Sequence, residues 1–175
     1  MINLHPMKHF LLLLDGMMGS GKTTASSLLS DHLPRTAIIG MDKVKRFVSD
    51  FERGTQDNKI AREIVLAMSE KYLELGLSVV VDHPFSSDDQ VASYEALSTK
   101  YSIPIFKFQL FTTPKIAFGR VNQRQEDREH KVSEERIKRN ITLFEDKSNL
   151  GFKTIDTTNL QPNEVADIIL ETINI

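Results

Sequence analysis

Residues 16–23 read GMMGSGKT, a full match to the phosphate-loop pattern GxxxxGK[ST]. Gly16, Gly19 and Gly21 permit backbone conformations and close approaches that a Cβ would block. The amides from about Gly19 to Thr23 can then turn inward on phosphate oxygens, aided by the positive end of the following helix. Lys22 would supply charge to the β- and γ-phosphates, and the Thr23 hydroxyl a ligand for Mg²⁺. The predicted cradle comprises Gly16, Met17, Met18, Gly19, Ser20, Gly21, Lys22, Thr23 and Thr24. Asp82 ends a β-branched run, a suitable place for a carboxylate that holds Mg²⁺ through water. The competing reading makes it the start of the turn DHPF. Asp42 is followed by Lys43, Lys45 and Arg46; on residue type alone Asp42 fits a helix cap and the basic run a solvated face. Arg120, Arg124 and Arg128 recur every four residues, on one face of a helix long enough to include them. Glu126, Asp127 and Glu129 are interleaved, which fits a salt-bridged exposed helix equally well.

Short apolar runs alternate with amphipathic ones, and these elements must position those residues. HFLLLL (9–14) reads as a buried strand, followed by a helix from Lys22 to Leu33 that Pro34 ends. Thr36–Ile39 is a second strand, and 42–51 a helix. Ile60, Ile64, Met68, Tyr72 and Leu75 predict a helix over 57–75, with Gly76 at its C-cap. LSVVVD (77–82) is a central strand, 87–100 a helix and 103–111 a strand; FKFQLF (106–111) within it is strand core rather than a stacking surface. Pro114 opens a helix carrying Arg120 and Arg124. The polar stretch 125–132 is a break between helices or a loop tip. Ser133 begins SEER, a capping-box signal for a helix to about Lys147. FKTID (152–156) is the last strand and 162–173 the last helix. Five alternations predict a parallel sheet with helices on both faces, its ligands beyond the carboxyl ends of the strands.

The chain has 175 residues, 40% hydrophobic and 26% charged, which suits one folded domain over 1–175. A formal charge of -2 provides no global field toward nucleic acid or anionic membrane, although a local basic pocket is compatible with it. The absence of cysteine excludes disulfides, thiolate metal sites and cysteine nucleophiles. The histidines show no metal-ligand spacing. The longest apolar run, Phe10–Leu14, is too short to span a bilayer, and MINLHPMKHF lacks a signal-peptide pattern, so the expected location is cytoplasmic and no membrane partner is expected. NKIA (58–61) lacks the Asp of a guanine motif, and Asp82 is followed by His83 rather than a water-activating Glu. These features favour phosphoryl transfer to an acceptor over hydrolysis that drives movement.

LLLLDGMMGSGKTT, MDKVKR, VVVDHPF, FGRVNQR and IDTTNLQPNEV occur in the order found in P-loop nucleotide kinases. The chain resembles the small AAA-type kinase-like group, which includes chloramphenicol phosphotransferase-like, zeta-toxin-like and polynucleotide-kinase-like enzymes. That resemblance implies a three-layer P-loop NTPase fold with a five-stranded parallel sheet and a short lid over 120–133. It implies Mg²⁺-ATP on 16–24, with Thr23 and Asp82 on the metal, and Asp42 as acceptor of the hydroxyl proton. It places Arg120 or Arg124 near the nucleotide and Arg128 on the lid over the phosphates. It also places Thr157, Thr158 and Asn159 beside adenine, largely through backbone. Polynucleotide kinases carry an Arg three residues after the Asp to hold an acceptor phosphate; here that position is Lys45, with Arg46 adjacent. Lys binds phosphate as a point charge and lacks the guanidinium fork.

The resulting expectation is an ATP-dependent phosphotransferase (ATP:alcohol kinase) acting on a hydroxyl of a small molecule or nucleotide. The catalytic candidates are Lys22, Asp42, Arg120, Arg124 and Arg128, and the acceptor-site candidates Asp42, Lys45 and Arg46. An anionic acceptor fits the basic run. The competing readings are a 5′-hydroxyl polynucleotide kinase, which the net charge disfavours, and a non-catalytic ATP-binding regulatory module.

Overall fold

A computed structural model of the protein describes residues 9–52, 54–85, 87–125, 132–142, 144 and 146–173. Five strands form one parallel sheet: β1 (Leu11–Gly16), β2 (Thr36–Gly40), β3 (Ser78–Asp82), β4 (Ile105–Phe111) and β5 (Lys153–Asp156). Their spatial order is β2-β3-β1-β4-β5, and β1 is central. The helices are α1 (Lys22–His32), α2 (Met41–Lys45), α3 (Thr55–Glu74), α4 (Asp88–Tyr101), α5 (Pro114–Gln125), α6 (Glu134–Thr142) and α7 (Pro162–Ile173). The expected α/β class, five-stranded parallel sheet and helices on both faces are all present.

Strand alternation divides the core in two. Leu11 and Leu13 face a cluster with Val79, Val81, Val65 and Leu73, beneath α3 and α4. Phe10, Leu12 and Leu14 face the opposite cluster with Leu29 of α1 and Val165 and Ile169 of α7. The β1 leucines and Val79–Val81 are fully buried, which explains their unbroken apolar runs. Each such side chain contributes about 2 kcal/mol of burial free energy. No helix among the described residues is long and apolar enough to cross a membrane.

Register places the strand ends level. Leu14 of β1 and Gly40 of β2 both pair with Asp82 of β3. The loop after β1, the start of α2 and the carboxylate of β3 therefore emerge at one edge of the sheet. On the other side, Gly16 pairs with Leu110 and Phe111 with Asp156, which brings the loop after β5 alongside.

Two predicted helices are shorter than expected. The helix predicted over 42–51 is regular only over Met41–Lys45. Beyond it the Phe47 and Val48 amides reach back only three residues, to the Val44 and Lys45 carbonyls, and Asp50 turns left-handed at φ 56°. Phe47 and Val48 are exposed, so no core holds a further helical turn there. The helix after Ser133 ends at Thr142 rather than Lys147; its one buried residue is Ile137. Only half of a capping box forms, from the Arg136 amide to Ser133 Oγ at 3.4 Å, because Arg136 offers no carboxylate in return. Ser148–Leu150 is a separate 3₁₀ turn.

Candidate active site

The loop 16–23 joins β1 to α1. Both Gly16 and Gly19 are enforced by packing: a Cβ would lie 2.4 Å from the Leu110 carbonyl oxygen at the first and 2.5 Å from that of Ala117 at the second. At Gly21 a Cβ would meet nothing within 4 Å, so the loop faces open space there. Gly21 is also the N-cap of α1 and supplies no side-chain cap, which leaves the first amides of the helix for an anion. The Lys22 ammonium folds back over the loop and donates to the carbonyls of Gly16 (2.5 Å) and Met17 (3.0 Å). Ser20 Oγ is buried without a hydrogen-bond partner among the described residues. Open space at Gly21, helix-end amides without a side-chain cap and a lysine resting on loop carbonyls fit a polyphosphate. Met17 is core and Met18 only partly exposed, so their part in such a cradle would be backbone.

Charges converge on Lys22. Burial pulls its ammonium below the usual lysine range; Asp82, Asp15 and Asp42 act upward, and Arg124 downward. Four ionisable side chains from four separate segments therefore act on one ammonium. Asp82 accepts hydrogen bonds from the Thr23 and Ser26 hydroxyls, the latter at 3.4 Å. Burial pushes the Asp82 carboxyl above its ordinary range, opposed chiefly by Lys22. A hydroxyl beside a carboxylate is a fitting partial shell for Mg²⁺, which retains waters and takes phosphate oxygens. Among the described residues no group of three acidic or histidine side chains could cage a metal alone.

Asp42 is the second residue of α2, not its cap; Gly40 holds the cap position. The expectation that Asp42 could cap a helix from Lys43 is thus corrected: the helix begins two residues earlier, at Met41. Its side chain is 91% exposed and lies 3.5 Å from the Lys45 ammonium, which is itself only 9% exposed. Arg46 is exposed at the end of α2. The neighbouring face carries exposed Phe47 and Val48.

The two described arginines of α5 differ. Arg124 is exposed and acts on Lys22. Arg120 instead donates to the Thr157 hydroxyl (3.1 Å) and carbonyl (2.8 Å). Thr157 Oγ1 reaches the Ser20 carbonyl at 3.0 Å, and the Thr157 amide donates to Phe111 O at 2.8 Å. Arg120 and buried Thr157 thus tie α5, the loop after β5 and the phosphate loop together. Thr158 accepts from the Thr113 amide at 3.2 Å, and Asn159 is exposed beside it. Arg128, with 126–131 of the expected lid, lies outside the described residues; α5 and α6 flank it.

Three buried polar groups carry no weight in the motif. Asp15, at the end of β1, pairs with Lys147 at 2.7 Å. Gln109 joins them, its Oε1 accepting from the Lys147 amide at 3.0 Å. His83, 2% exposed, lies against Phe85 with Nδ1 2.9 Å from the Pro84 carbonyl. A charge within an apolar strand, as in LLLLD, is the signal that would have marked Asp15.

A family model described as an AAA domain matches residues 11–147. No curated protein matches by sequence. Among solved structures, a candidate kinase from Chloroflexus aurantiacus is similar at 18% identity and TM-score 0.70, covering 97% of this chain and 98% of that one. The Deinococcus radiodurans tunicamycin resistance protein is similar at 16% identity and TM-score 0.67, over 96% and 97% of the two chains. The Mycobacterium tuberculosis APS kinase CysC, in complex with AMPPNP and APS, is similar at 13% identity and TM-score 0.70, over 97% and 100%. The chain belongs to the AAA domain family, and its fold is that of the P-loop kinases.

Proposed function

We propose that this protein is a Mg²⁺-dependent phosphotransferase that moves the γ-phosphoryl group of ATP to a hydroxyl of a small molecule or nucleotide. The observation that carries this reading is the register that brings the loop after β1, Asp82 and the start of α2 to one sheet edge, where Asp82, Asp42 and Arg124 all act electrostatically on Lys22 and Asp42 is exposed. The loop amides and Lys22 would hold the β- and γ-phosphates, Lys22 giving up its carbonyl contacts for phosphate oxygens. Thr23 and Asp82 would hold Mg²⁺, which would supply charge neutralisation to the phosphates. Arg124 would offset charge that develops on the phosphoryl group, whereas Arg120 would order the loop through Thr157. Arg128 is proposed for the same lid role from its spacing alone.

Asp42 would orient the acceptor hydroxyl and take its proton as the new O–P bond forms and the β–γ bridging bond breaks, releasing ADP. The proton passes from Asp42 to solvent. An anionic acceptor would meet exposed Arg46, with Lys45 adding its charge from beneath Asp42. Thr157 is buried, so any adenine contact it makes would run through its backbone, whereas Thr158 and Asn159 are accessible enough to use their side chains too. The expected outcome is that Asp42→Asn binds ATP like the native protein yet loses turnover by about 10³-fold, whereas Lys22→Ala loses both binding and turnover. Native turnover in Asp42→Asn removes Asp42 from the mechanism.

A further inference from the structure

Asp15 places a carboxylate, 2% exposed, immediately before the loop proposed to receive a polyanion. Its Oδ1 accepts from the Gly16 amide at 2.7 Å, fixing the first peptide of the loop. The Gly16 carbonyl, at the other end of that residue, holds the Lys22 ammonium. Asp15 and Lys22 thus grip the same glycine from opposite charges, and Asp15 acts on Lys22 electrostatically. Left alone, Asp15 would repel phosphate and compete for Lys22. Lys147 prevents this: its ammonium is 2.7 Å from Asp15 Oδ2, its side chain is 15% exposed, and Gln109 bonds both its backbone and the carboxylate (Nε2 to Oδ2, 3.4 Å). Lys147 lies far along the chain, after α6, where the backbone leaves helical geometry. A buried ion pair adds little net stability in general, so stability alone is a weak reason for this one.

We propose that Lys147 is a positioning residue for nucleotide binding: by neutralising Asp15 it keeps Lys22 directed at the phosphates. The inference rests on the nucleotide reading of the loop. It predicts opposite signs for two substitutions in one ion pair. Lys147→Met leaves a lone carboxylate beside Lys22 and should weaken ATP binding about tenfold or more, the scale of an unopposed charge at short range. Lys147→Arg retains the charge and should stay near native. Asp15→Asn can still accept from the Gly16 amide, leaves Lys147 cationic, and should bind ATP at least as tightly as the native chain. Both Lys147→Met and Asp15→Asn should lower Tm, because each strands a buried charge.

The experiment titrates ATP into each full-length variant, with Tm measured alongside. A merely structural pair would weaken binding in both single variants in step with Tm; that pattern, or native affinity in Lys147→Met, overturns the proposal. Should Lys147→Met fail to fold, Asp15→Asn/Lys147→Met removes both charges together and is expected to restore affinity to within about threefold of native. Weak binding by a stable double variant also overturns it. A native chain that binds no ATP overturns the nucleotide reading itself, whereas native binding without the split in sign overturns the role of Lys147 alone.

Discussion

His83 is an imidazole held neutral by its surroundings. Burial lowers its pKa to about 4 from an ordinary 6.5, and Arg62 and Lys45 act in the same direction, while the Pro84 carbonyl and Asp15 oppose them. Tyr94 OH faces the other ring nitrogen at 3.5 Å. A histidine whose folded pKa is depressed favours the unfolded chain once protons are available. Its contribution is present above pH 6.5 and is lost as pH falls toward about 4, amounting to about 3 kcal/mol at most. His83→Gln should therefore flatten the stability curve across that window relative to the native protein, as read by urea melts at stepped pH. Parallel curves for the two proteins would show that His83 titrates normally. None of this was legible from the residues: a lone His after Asp82 looks the same whether buried or exposed. By contrast, the proposed cradle Gly16–Thr24 is legible as a motif, because its candidate residues are consecutive. Asp15 and Lys147 are 132 positions apart, and only the fold unites them.

Local propensity identified every strand and most helices because apolar period and stop signals agreed. The C-cap of α3 shows why: Gly76 adopts φ 72°, its amide bonds Leu73 O at 2.9 Å, and the Leu77 amide bonds Tyr72 O at 3.0 Å. That is a Schellman end, which glycine allows without strain. The α4 end uses the same bonds with Ser102 at φ 52°, where its Cβ is disfavoured. Ser102→Gly should raise stability by about 0.5–1 kcal/mol despite the entropy of glycine in the unfolded chain. A denaturant midpoint that falls would mean that the Ser102 side chain contributes a contact worth more than its strain. Propensity misled where tertiary contacts dictate the path. The 133–147 stretch is polar enough for a long helix, yet Asp146 accepts from the Ser148 amide at 3.1 Å and Lys147 turns inward to Asp15. Neither contact is compatible with one continuous exposed helix.

At the scale of the molecule, parallel order and register bring together segments that the sequence separates. The order β2-β3-β1-β4-β5 sets β1 between β3 and β4, so the phosphate loop sits at the sheet's centre. Asp42 and Asp82 arrive from one side of it and the loop after β5 from the other. The net charge of -2 conceals the run of Lys43, Lys45 and Arg46 along α2, of which Lys43 and Arg46 are exposed and Lys45 is buried against Asp42, and bulk charge alone does not identify the acceptor. The sequence could place the acceptor beside α2 only through family likeness, because acceptor surfaces are assembled from several elements. The central claim is transfer rather than binding or hydrolysis. It is tested most directly by following γ-phosphate label from Mg²⁺-ATP into pooled nucleosides, small alcohols and 5′-hydroxyl oligonucleotides, with Lys22→Ala as control. The phosphotransferase reading predicts label on a hydroxyl acceptor with the native protein and none with Lys22→Ala. Label that remains on ATP, or emerges only as free phosphate across all of these acceptors, would contradict it.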